Sequence, residues 1–237
     1  MLERMPLVVK NIVIINVLLF LASQVIPGLY PLLSGHYFIS PDFAPWQVVS
    51  HMFMHGGIAH IFFNMFGVVV FGSVLEQIWG PKRFLTYYLL SGLGAFALHM
   101  FINFLEIRSL AELIGEEGYA EVLRRGKELM DTGYVFTDRN MQNLNYAIHT
   151  GMVGASGCLF GLLIAFGVLF PNLELMLLFP PIPIKAKWFV LGYGAIEILL
   201  AIRNAEGDNV AHFAHIGGML FGYLILKYWQ SRGVRLN

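Results

Sequence analysis

Nearly uncharged apolar stretches of about twenty residues recur along this chain, and that is the length an α-helix needs to cross the hydrocarbon of a bilayer. They run Asn11–Tyr30, from near Ile58 to Trp79, Phe84–Leu105, about Gly151–Phe170, Trp188–Ile202 and about Val210–Trp229, the fifth being short and borrowing residues from its flanks. Charged residues make up 13% of the sequence and hydrophobic ones 57%, against about 25% charged in a soluble domain. The expected architecture is an all-α membrane protein, one domain over residues 1–237 with six transmembrane helices. Net charge is zero, so nothing points to nucleic acid. The single cysteine, Cys158, excludes an internal disulfide and sits in an apolar run as a small buried hydrophobe. Glu3 and Arg4 precede the first apolar run and no small-residue cleavage pattern follows it, so that run is read as a retained span.

Lysine and arginine in short loops set orientation. Arg4 and Lys10, Lys82 and Arg83, Lys185 and Lys187, and Lys227, Arg232 and Arg235 all fall on one side if six spans alternate. Both termini are therefore expected in the cytoplasm. The segment 173–187 is apolar but holds Pro180, Pro181 and Pro183. It is expected to be a loop along the membrane surface, because proline removes backbone donors. Residues 106–148 carry five basic and eight acidic residues, a polar helical insertion between spans three and four on the outer side. Ser109 and Glu112 fit a capping box, Gly115 and Gly118 interrupt, and Gly133 is a stop. Between them Tyr119, Val122, Leu123, Gly126, Leu129 and Met130 form a one-sided stripe suited to a hairpin resting on the bundle or on lipid.

Polar groups at membrane depth ask for an explanation. Ser156 lies in GASG at 154–157; Gly157 and Gly161 beside it suit close helix packing, and a packing serine is the plainer reading of this motif alone. His215, Gly218 and Gly222 share one face of span six. A Ser156–His215 contact would make a minimal nucleophile and base. His60 and Asn64, at i and i+4 in HIFFN, could converge as donors on a developing oxyanion or serve as interhelical glue. His51, His55 and His60 form a histidine set for which hydrogen-bonded loop packing is favoured over a zinc site. His212, one turn before His215, reads as a solvated structural histidine. Glu197 reads as a polar tether facing protein, with gating as the alternative, and Glu76 as an interfacial charge partner of Lys82 and Arg83. His99 and Asn103 carry no further signal. His149 is placed at the mouth of the site.

With HIFFN at 60–64, GASG at 154–157 and AHIGGMLFG at 214–222 in that order on spans two, four and six, the chain resembles the rhomboid family of intramembrane serine proteases. The resemblance covers nearly the whole six-span core. It implies a rhomboid-like bundle of the bacterial type and a Ser–His dyad with no third acid, Ser156 as nucleophile and His215 as general base. It also implies that His60, Asn64 and the Ser156 N–H hold the oxyanion. Gly154 would shape the turn before the serine, and Phe160 would stack on the catalytic histidine. The implied partners are transmembrane protein substrates and the lipid bilayer; no cofactor or metal is implied, and oligomeric state is left open. The lean loops and the lack of a transit-like N-terminus fit a multi-pass protein of a bacterial inner membrane, and the resemblance implies that span five moves as a gate. Where some bacterial relatives carry Trp-Arg after span one, this chain has Trp46-Gln47, which leaves the anchoring of that loop in question. The alternative function is a catalytically inactive relative that binds membrane proteins as a chaperone; a solute carrier and a metalloprotein are further rivals.

Overall fold

In the computed structural model, residues 5–176, 181–203, 211–234 and 236 are described; the expectations placed on Glu3, Arg4, Pro180, Val210 and Arg235 lie outside the described residues. The first helix, α1, is Leu7–Val25, earlier than the Asn11–Tyr30 expected. Pro6 precedes it with the φ that a helix start tolerates, and Pro27 and the left-handed Gly28 (φ 79°) end it before the short helix α2, Leu29–Leu33. Glu76 explains the early start. It is not a charge partner of Lys82 and Arg83. It is 4% exposed and accepts from the Val8 and Val9 backbone N–H groups at 2.9 and 2.8 Å, where a helix leaves donors unpaired and favours negative charge.

A loop containing the one-turn helix α3 (Gln47–Ser50) and a 3-10 turn at His51–Phe53 leads into α4, Ile58–Gly67. A wider π turn at Val68–Gly72 joins α4 to α5, Ser73–Trp79, so that Ile58–Trp79 is one rod. Gln47 supplies the anchoring left in question by the missing arginine. It is fully buried, its amide nitrogen donates to the Asp42 carbonyl at 2.7 Å and the Leu32 carbonyl at 3.2 Å, and its oxygen accepts from the His36 N–H at 3.2 Å. Trp46 Nε1 donates to the same Leu32 carbonyl at 3.0 Å.

Gly80 (φ 77°) and Pro81 turn the chain into α6, Pro81–Thr132. This helix does not end near Leu105, and no new helix opens at Ser109: once a helix is propagating, each further residue adds a bond without a new nucleus, so the local capping signal is overridden. The break comes at Gly115, with φ 73° and ψ 176°, while Gly118 stays helical. Beyond the bend, the arm ends at the left-handed Gly133. It packs on α7, Arg139–His149, which Asp138 caps by accepting from the Met141 N–H at 2.9 Å. Tyr119, Val122, Gly126, Leu129 and Met130 turn inward, whereas Leu123 is 43% exposed. Asn145 donates to the Gly126 carbonyl at 3.1 Å, and Lys127 ties the arm to Asp42 at 3.2 Å.

Helix α8 is Ser156–Leu169, shorter than the expected Gly151–Phe170 because residues 151–155 are not helical, Met152 pairing with Gly35 and Gly154 turning the chain. The strands β1 (Glu174–Met176) and β2 (Pro183–Lys185) pair antiparallel, a small hairpin in place of the irregular surface loop expected. The last two helices are α9, Ala186–Arg203, and α10, His212–Ser231. The six expected spans are thus all helical. Three of them, α1, the Ile58–Trp79 rod and α6, are long and apolar enough to cross a membrane on that ground alone. Large apolar side chains cover the outer faces, among them Leu18, Leu21, Leu199 and Ile202, the last 75% exposed, as lipid contact requires. At 14 residues, α8 is about 21 Å long, shorter than a hydrocarbon core of about 30 Å.

Candidate active site

Ser156 is where the non-helical segment becomes a helix. Met152 and Gly35 exchange both backbone hydrogen bonds at 2.8 Å, and the Gly154 N–H donates to the His51 carbonyl at 2.9 Å. Gly154 has φ 130°, and a Cβ there would lie 2.8 Å from His60 Nε2, so the turn needs glycine on both counts. In α8, Leu159 N–H is the first to close on the Ala155 carbonyl. The N–H groups of Ser156, Gly157 and Cys158 therefore have no acceptor within the helix, the usual state of a helix start.

Glycines set the distance from α8 to α10. A Cβ on Gly218 would lie 2.0 Å from the Gly157 carbonyl oxygen, and one on Gly222 would lie 3.0 Å from Gly161 Cα. On the other side of α8, a Cβ on Gly157 would lie 2.5 Å from Ala95 Cβ of α6. The result is a Ser156 Oγ to His215 Nε2 distance of 2.9 Å. Phe160 stacks on the His215 ring with centroids 4.2 Å apart and planes 11° apart.

The other ring nitrogen of His215 is held as well. Its Nδ1 lies 2.9 Å from Glu197 Oε2, and His212 Nδ1 lies 2.6 Å from the same oxygen. All three side chains are buried. An ionised Glu197 only accepts, an arrangement that matches a His215 proton on Nδ1 and an Nε2 that accepts from the Ser156 hydroxyl. His212 is therefore not the solvated histidine expected, and Glu197, read as a tether, binds both histidines. Sequence could not pair these groups, since Glu197 lies on α9 and the histidines on α10. The Glu197, His212 and His215 ligand atoms lie within 4.8 Å of one another, a set able to hold a divalent cation after some expansion. Their 2.6 and 2.9 Å spacings are hydrogen-bond lengths, shorter than the roughly 3.3 Å between ligands around a tetrahedral zinc.

His60 and Asn64 lie on α4 facing the cavity that holds Ser156. His60 Nδ1 accepts from the Gly56 N–H at 3.4 Å, which leaves Nε2 as the donor nitrogen beside Gly154. His55 packs edge-on against the His60 ring with centroids 4.9 Å apart, and His51 Nδ1 donates to the Gln47 carbonyl at 2.8 Å. Burial pushes His51 down to about 4 and His55 to about 3, so both are neutral near pH 7. An unfolded histidine takes up its proton near 6.5 while the folded one refuses it. Stability is therefore lost as pH falls below the unfolded value, down to the folded one. Thermal unfolding in detergent is expected to show the midpoint falling between pH 6.5 and 4, with a weaker dependence in His51→Asn. Equal slopes in parent and variant would contradict this. His149 does not line the mouth of the site. It packs beneath the polar arm, close to Gly126 and 3.4 Å from Ser40 Oγ.

The cavity has a volume of about 1540 Å³ and is lined, among others, by Phe63 and Phe66 of α4 and by Phe189 and Tyr193 of α9. It exceeds the roughly 300–1,000 Å³ of a small-molecule pocket. Against known proteins, residues 42–115 and 130–231 match the rhomboid domain family, and the chain belongs to that family. It is 26% identical over 219 residues to an uncharacterised mitochondrial rhomboid protein of Schizosaccharomyces pombe, covering 80% of this chain and 53% of that one. The rhomboid protease AarA of Providencia stuartii is 24% identical over 181 residues, 76% of this chain and 54% of AarA. An inactive RHOMBOID-like protein 8 of Arabidopsis thaliana is 32% identical over 72 residues, 30% of this chain and 20% of that one. The chain thus spans about half the length of the first two relatives. The family includes proteases and inactive members, and this member is an integral membrane protein.

Proposed function

We propose that the protein is an intramembrane serine endopeptidase that cleaves transmembrane segments of other membrane proteins, acting as one membrane domain. The observation that carries this reading is the 2.9 Å contact of Ser156 Oγ with His215 Nε2 at the wall of a cavity lined by α4 and α9. Ser156 attacks the scissile carbonyl and His215 takes its proton. His60, Asn64 and the Ser156 N–H receive the oxyanion, and water then releases the acyl group. Phe160 and the glycines at 154, 157, 218 and 222 shape the site. A polypeptide enters sideways between the α4 and α9 aromatics, with α9 moving aside. Lysines and arginines clustered on one side support cytoplasmic termini, and a bacterial inner membrane is the proposed setting.

A fluorophosphonate probe tests the site directly. Reconstituted in a bilayer, the parent is expected to be labelled and Ser156→Ala not. Folded, accessible parent protein that stays unlabelled would shift the assignment to an inactive, protein-binding rhomboid.

A further inference from the structure

We infer that Glu197 is a positioning residue for catalysis, making the working unit of this site Ser156–His215–Glu197 with His212 as a second anchor of the carboxylate. The inference rests on the proposed chemistry at Ser156. It departs from a two-residue site, in which the far nitrogen of the histidine has no fixed acceptor.

Three observations carry it. First, the chain of contacts is continuous: Ser156 Oγ to His215 Nε2 at 2.9 Å, then His215 Nδ1 to Glu197 Oε2 at 2.9 Å. Second, the carboxylate is itself held. His212 Nδ1 lies 2.6 Å from Oε2, so the oxygen facing His215 is fixed from a second direction by the same helix, α10. Third, Glu197 is 6% exposed, and a hydrogen bond to a charged group gains strength where water is kept out.

The chemistry follows from which atom holds each proton. Glu197, as an acceptor, fixes the proton of neutral His215 on Nδ1 and leaves the Nε2 lone pair toward Ser156. As Oγ bonds to the substrate carbonyl carbon, the hydroxyl proton passes to Nε2 and the carbonyl π pair moves onto oxygen. His215 is then a cation with protons on both nitrogens, and Glu197 stays ionised beside it. The proton on Nε2 later goes to the leaving amine. No oxidant or metal takes part. Glu197 touches no reacting atom; it acts through the histidine ring, and Phe160 stacked on that ring limits its remaining rotation.

The test compares parent, Glu197→Gln and Ser156→Ala in bilayers, using a transmembrane peptide substrate and ¹⁵N-histidine NMR of the parent and Glu197→Gln. In Glu197→Gln the side chain keeps its shape but can donate its amide to His215. Its kcat is expected to fall between about 10² and 10⁴-fold, with KM within about two-fold of the parent. The His215 signal is expected to show an Nδ1–H in the parent and a shift toward Nε2–H in the variant. Equal kcat in Glu197→Gln and parent would overturn the inference, and so would an Nδ1 without a proton in the parent, a reading independent of activity. Activity lost to a chelator and restored by zinc would overturn it in favour of a metal centre. A parent that shows Nδ1–H but cleaves no better than Ser156→Ala would overturn the protease reading and leave only the hydrogen-bonded arrangement.

Discussion

On the proposed function, replacing His215 with alanine is expected to stop cleavage of a transmembrane substrate, and Ser156→Ala to do the same, each lowering kcat by about 10⁴-fold or more. Serine is a poor nucleophile until a base takes its proton, and Nε2 of His215, 2.9 Å from Oγ, is the base in reach. The two groups act in one step, so Ser156→Ala/His215→Ala is expected to be no slower than either single variant. The fold should survive. Ser156→Ala removes one oxygen from a half-buried position, and in His215→Ala the Glu197 carboxylate keeps His212. The measurement is turnover of a bilayer-embedded peptide by protein whose thermal midpoint matches the parent. Cleavage at the parent rate by either single variant would exclude the pair as the catalytic groups.

The second large effect is expected where no polar atom is changed. In Gly218→Ala the new methyl meets the Gly157 carbonyl oxygen at 2.0 Å. That neighbour is backbone and cannot rotate away, so α8 and α10 must separate by roughly 1.4 Å to restore ordinary contact. A displacement of that size at the reacting atoms costs on the order of 100-fold in rate, and overpacking costs about 1–3 kcal/mol in stability. Gly192→Ala on α9 is the control, since a Cβ there meets nothing within 4 Å; it should leave activity unchanged. The comparison is read as kcat beside thermal midpoint. A Gly218→Ala protein as active as Gly192→Ala would mean that the glycine contact does not set the distance between Ser156 and His215.

The helices were legible in the sequence because hydropathy and helix length act locally. The rod Ile58–Trp79 begins and ends where expected, since Gly57 and Gly80 mark its ends. The approach of Ser156 to His215 could be read because glycines beside each mark close helix packing, whereas the places of Phe160, His60 and Asn64 around the same cavity were implied by the family resemblance. What was not legible depends on partners distant in sequence. Glu76 lies nearest to Lys82 and Arg83 along the chain, yet its partners are the Val8 and Val9 amides, 68 and 67 residues away. Glu197 showed only that a carboxylate sat in an apolar helix; its two histidine partners come from another helix. Ser109 carried a helix-start signal that the passing helix ignored, and Gly115, a weaker mark in the pattern, made the bend.

That bend also bears on how such proteins diverge. The match to the family stops at Gly115 and resumes at Met130. The residues between form an arm that leans on α7 and the Asp42 loop rather than on Ser156 or His215. A core whose glycine contacts leave little room for change thus carries an arm that departs from it at the Gly115 bend. Changes in the length or charge of that arm would therefore leave the contacts around Ser156 and His215 untouched.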